Sequence, residues 1–95
     1  MSKTRTLKRS MAILTPNICD SFSGSPGDTV QWQNVPTTGC RIEAGTSIWP
    51  FNPGPPIDNV LTAGTITIKS NLPSAVYNFN AKCCANQTLK NVQVG

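Results

Sequence analysis

The stretch GTITIKSNLPSAVYNFNA, residues 64–81, alternates apolar and polar side chains twice around one short break. Ile66 and Ile68 fall on one side of the first run; Tyr77, Phe79 and Ala81 share a side of the second. A period of two is that of a strand with one buried face. The Asn and Pro between the runs are turn formers. Working outward, TVQWQ (29–33) sets Val30 and Trp32 against Gln31 and Gln33, and LKNVQVG (89–95) sets Val92 and Val94 on one face. CRIEA (40–44) aligns Cys40, Ile42 and Ala44, while SMAIL (10–14) and SFS (21–23) give two further short runs. GSPGD (24–28) is a turn in which Pro26 fixes φ and Gly27 permits a positive one. In WPFNPGPP (49–56) half of the residues are Pro, which cannot donate to a ladder, so it reads as a loop crossing an edge or an end. No segment sustains a helical period. Seven to eight short strands with frequent turns predict an all-β, antiparallel sandwich or barrel.

Ninety-five residues make one domain near the lower limit for a self-sufficient core. In so small a domain one disulfide worth roughly 2–4 kcal/mol is a large share of the stability. The net charge of +4 resides in the first nine residues, where Lys3, Arg5, Lys8 and Arg9 meet no acid. Beyond them Arg41, Lys69, Lys82 and Lys90 are matched by Asp20, Asp28, Glu43 and Asp58. The expected organisation is a flexible basic tail over 1–9 and one domain over 10–95. A neutral body predicts no specific nucleic-acid binding, and the tail offers only unspecific attraction to an anionic surface. After KTRTLKR (3–9) the apolar run MAIL is shorter than the roughly 7–15 residues of a signal-peptide core. No run approaches the ~20 apolar residues of a membrane helix. The expectation is a monomer or weak homo-oligomer without a signal peptide or a membrane span; the sequence names no partner.

SFSGSPGDTVQWQN (21–34) resembles the second and third strands of cupredoxins, the plastocyanin- and azurin-type proteins, in the pattern F-x-x-x-x-G-[DE]-x-[VI]-x-[WF]-x-N. AGTITIKSNLPSAVYNFNAKCC (63–84) with LKNVQVG (89–95) resembles that family's final half, and the likeness spans roughly residues 10–95. The resemblance implies a Greek-key β-sandwich. It also implies that the loop after the first strand, the start of the fourth and the loop before the last meet at one end. Those regions carry Cys19, Cys40 and the adjacent Cys83 and Cys84. The family's type 1 copper site takes a His near the position of Cys40, then Cys, His and usually Met from the last loop. Here the family's Cys position is Ala81, the Met position is nearest Leu89, and the chain has no histidine. A His₂Cys plane cannot be built, which rules out type 1 copper chemistry.

Four cysteines allow three pairings. Adjacent residues of an extended strand face opposite ways, so Cys83 and Cys84 would reach different partners, one toward Cys40 and the other toward Cys19. This disulfide staple is the principal expectation and implies an oxidising compartment. The alternative is a thiolate site for Cu(I) or Zn(II) formed by Cys40, Cys83 and Cys84, with Cys19 as a fourth ligand. A third reading is a labile vicinal Cys83–Cys84 bridge; a fourth leaves free thiols buried as small hydrophobes.

Catalysis has little to draw on. Without His there is no Ser-His or Cys-His pair, and the four acids are scattered. The chain is therefore expected to be a non-catalytic structural or binding module without a cofactor. Trp32 and Tyr77 are assigned to the core, while Trp49 and Phe51 either cover the end of the sandwich as a loop plug or are candidate contacts for a ligand or partner. Asn86-Gln87-Thr88 matches the glycosylation acceptor triplet.

Overall fold

A computed structural model describes residues 11–95; the basic tail over 1–9 lies outside the described residues. Eight strands and no helix are present among the described residues. They are β1 (Ile13–Leu14), β2 (Phe22–Gly24), β3 (Thr29–Val30), β4 (Ile42–Ala44), β5 (Phe51–Asn52), β6 (Thr67–Ile68), β7 (Ala75–Ala81) and β8 (Lys90–Val94). Two four-stranded sheets result, one in the order β1-β3-β6-β5 and the other β2-β8-β7-β4.

The alternations found in the sequence set the faces. Val30 and Trp32, Ile66 and Ile68, Tyr77, Phe79 and Ala81, and Val92 and Val94 are all buried in one shared core. Ala44, read as the companion of Cys40 and Ile42, is instead exposed at the end of β4. The sheets meet through aromatic rings: Phe51 of one and Phe79 of the other are edge to face at 5.3 Å, and Trp32 stands 5.3 Å from Phe51. Burying such a ring contributes about 1.5–3 kcal/mol, and aromatic pairs add to that.

The purely antiparallel arrangement expected from the sequence does not hold. β1 runs parallel to β3 and β2 runs parallel to β8, while the other four pairings are antiparallel. Both parallel pairs involve β1 or β2, strands whose sheet partners β3 and β8 are not their neighbours in sequence. Alternation fixes which face a residue takes but carries no information on strand direction, so the parallel pairs were not legible.

The turn before β3 matches its residues. Gly27 has φ +89°. Buried Asp28 accepts the Ser25 N–H at 2.9 Å and the Ala12 N–H at 3.1 Å, tying the approach to β1 onto this turn. The Pro-rich stretch is not wholly a loop, since Phe51–Asn52 pairs with β6 as an edge strand.

Candidate functional site

The four sulfurs are brought together at the β7–β8 loop, residues 82–89. Cys40 is bonded to Cys83, with Cα atoms 5.0 Å apart, and Cys19 to Cys84, with Cα atoms 5.8 Å apart. Both separations lie in the range a disulfide spans without backbone movement. No free cysteine remains among the described residues. The adjacent pair therefore diverges: Cys83 faces Cys40 and Cys84 faces Cys19.

The divergence of the two side chains has two sources. The β4–β7 ladder pairs Ile42 with Ala81, and the Lys82 N–H donates to the Arg41 carbonyl at 2.8 Å. Continued past the strand ends, this register sets Cys83 opposite Cys40. The chain then turns, with the Cys84 N–H reaching back to the Ala81 carbonyl at 3.3 Å. Cys84 is therefore directed by a turn rather than by the pleat of an extended strand. The two partners are those expected, but the cause of their separation is different.

Cys19 lies in a turn over 17–20, closed by the Asp20 N–H on the Asn17 carbonyl at 3.0 Å. At its first residue, Asn17 bridges Gln33 in the same parallel register as β1 and β3. The Cys19–Cys84 bond thus joins an extension of one sheet to a loop of the other.

Three side chains hold this end in shape, and residue type alone did not single them out. Asn59 Oδ1 accepts the N–H groups of Cys40 and Leu61, at 3.3 and 2.9 Å. Gly39 has φ +93°, and a Cβ there would collide with the Asn59 side chain. Gln87 Nε2 donates to the carbonyls of Cys84 and Lys82, at 2.5 and 3.3 Å. Lys90 is 7% exposed, and its ammonium donates to the carbonyls of Thr88 and Asn86, at 2.6 and 3.3 Å. The alternation that turns Val92 and Val94 inward turns Lys90 inward as well, so that much was readable.

Near Cys40, Arg41 donates to Glu43 at 2.8 Å and also pairs with Asp58. Its pKa is raised, chiefly by the hydrogen bond with Glu43 and, after an opposing desolvation, by the charge of Asp58. A cleft of about 460 Å³ opens beside the other bridge, lined in part by Cys19, Asp20, Asn86, Leu89 and Lys90.

Trp49 and Phe51 do not serve as exposed contacts. They are 5% and 0% exposed. β5 turns Phe51 into the core, and the following chain folds back so that Trp49 Nε1 donates to the Pro53 carbonyl at 3.1 Å. Trp49 also packs edge to face on Phe51 at 5.4 Å. Pro-rich composition concealed this, because Pro flanking an edge strand reads like Pro in a loop.

With every sulfur in an S–S bond, the four cysteines offer no thiolate to an ion in this state, and no group of three or more His, Cys, Asp or Glu suited to a metal occurs among the described residues. Two disulfides are consistent with an oxidising compartment. No helix among the described residues is long and apolar enough to cross a membrane. Comparison with protein-family models, with curated proteins and with solved structures gives no match.

Proposed function

We propose that this chain is a non-catalytic structural module on a cupredoxin-like, Greek-key frame whose metal end has been replaced by two disulfides. One observation carries the reading: both bridges converge on the loop between β7 and β8 and use all four sulfurs. In cupredoxins, the corresponding loop carries copper ligands. Two sheets around one core, and the absence of histidine from the sequence, support the same reading. The bridges hold the end of the sandwich by covalent bonds where a cupredoxin would use a metal ion. With Trp49 and Phe51 in the core, the 45–56 loop keeps only Ile48 as a large exposed apolar side chain.

Intact-mass and metal analysis of the purified protein test this directly. The expected result is a mass about 4 Da below that of the fully reduced chain, from the two hydrogens lost per bridge, with no stoichiometric metal. A stoichiometric copper or zinc content with four alkylatable thiols would overturn it in favour of the thiolate site.

A further inference from the structure

We infer that Asn86 is an acceptor for N-linked glycan, a covalent modification site at the tip of the β7–β8 loop. Asn86-Gln87-Thr88 is the only Asn-x-Ser/Thr triplet in the chain; its middle residue is not Pro, and Leu89 follows it. All three residues are exposed. The triplet's geometry adds to the motif. Asn86 Oδ1 accepts the Thr88 N–H at 2.9 Å and also the Thr88 hydroxyl. The carboxamide oxygen is thereby committed, while among the described residues no hydrogen bond engages Nδ2. Asn78 makes the contrast: its Oδ1 takes the N–H of Thr46 and of Ser47, and its Nδ2 donates to the Thr46 hydroxyl. Asn80 Nδ2 is likewise occupied, by Gln87.

The surroundings leave room for a sugar. The cleft of about 460 Å³ that Asn86 helps to line opens to solvent, and Asp20, Ser21, Thr88 and exposed Leu89 also line it. Two disulfides are consistent with an oxidising compartment, the kind in which this modification is made. The donor is a lipid-diphosphate-linked oligosaccharide. The bond between its first sugar's C1 and the diphosphate oxygen breaks, and the lipid diphosphate leaves with the electron pair. C1 bonds to Asn86 Nδ2, which gives up one proton to a base of the transferase. The step is redox-neutral.

The test is to secrete the full chain from a eukaryotic cell behind a cleavable leader, then measure intact mass before and after peptide-N-glycosidase. Wild type should carry one oligosaccharide, removed by the glycosidase with conversion of Asn86 to Asp, a gain of about 1 Da on that peptide. Thr88→Ser should keep the glycan, and Thr88→Ala and Asn86→Gln should each lower occupancy by about tenfold or more. Peptide mapping of the two disulfides shows that each variant is folded. Secreted wild type with both bridges formed and no glycan overturns the inference, as does full occupancy in Thr88→Ala.

Discussion

The two disulfides begin at neighbouring residues and do different work. Cys40–Cys83 continues a ladder that hydrogen bonds already hold, from Ala44–Phe79 through Ile42–Ala81. Cys19–Cys84 joins the turn after β1 to the β7–β8 loop outside any ladder, the nearest pairing between the two segments being that of β2 with β8. They differ in access as well. Each bridge has one buried member, Cys40 at 3% and Cys84 at 5% exposed, but the other member is exposed in Cys19 and half-buried in Cys83. The bridges close chain separations of 43 and 65 residues, for which the loop-entropy model gives about 4 kcal/mol each when taken alone. Because Cys83 and Cys84 are adjacent, whichever bridge forms second closes a shorter circuit and adds less. The unfolded chain therefore hardly distinguishes them. Any difference between them must come from the folded state.

The largest effect should follow removal of both. Full reduction is expected to lower unfolding free energy by about 7 kcal/mol, comparable to the whole stability of so small a domain. Urea titration followed by fluorescence of buried Trp32 and Trp49, with and without reductant, checks this. A midpoint unmoved by reductant would make both bridges ornaments of an independently stable core. Next comes the contrast itself. Under limiting reductant, Cys19–Cys84 should open a few-fold faster than Cys40–Cys83, since exchange needs access to sulfur and Cys19 is more open than Cys83. Alkylation and peptide mapping over time would show it, and equal rates would erase the distinction in access.

Hydrogen exchange sharpens the mechanical difference. In Cys19→Ala/Cys84→Ala, amides of 17–21 and 84–89 should lose protection, while in Cys40→Ala/Cys83→Ala the β4–β7 amides stay protected by their ladder. A smaller effect is expected from Gln87→Ala. Losing its donors to the turn between the two sulfurs should cost about 1 kcal/mol and hasten opening of Cys19–Cys84 more than that of Cys40–Cys83. Smallest is Arg41→Ala. Its ion pairs with Glu43 and Asp58 are solvent-exposed and screened by salt, so the urea midpoint should not move measurably.

These differences mark what the sequence could and could not convey. Period-two alternation identified the inward side chains from Val30 to Val94, because burial on one face is a local property of each strand. That Cys83 and Cys84 serve different partners was also legible from adjacency. Which partner each takes was not, since it depends on where the β4–β7 register runs out and the chain turns. The parallel pairs escaped for a related reason: alternation says which face a residue takes, not which strand lies beside it or in which direction it runs. Of the two readings of Trp49 and Phe51, the exposed contact fails and burial holds, but the Pro residues around them hid the two-residue edge strand that buries Phe51. The supporting roles of Asn59 and Gln87 rest on contacts to backbone groups of distant or turning segments, which residue type does not announce.

The parallel pairing of β2 with β8 has a consequence for the order in which the chain can be assembled. Phe22 is in register with Val92, so β2 pairs only with a strand about 70 residues further along the chain. β8 is also the sole neighbour linking β2 to β7. Sheet two is complete only once β8 has docked, and until then β2 and β7 lack the neighbour they share. Such distant pairing slows folding and leaves the nascent chain open to wrong partners.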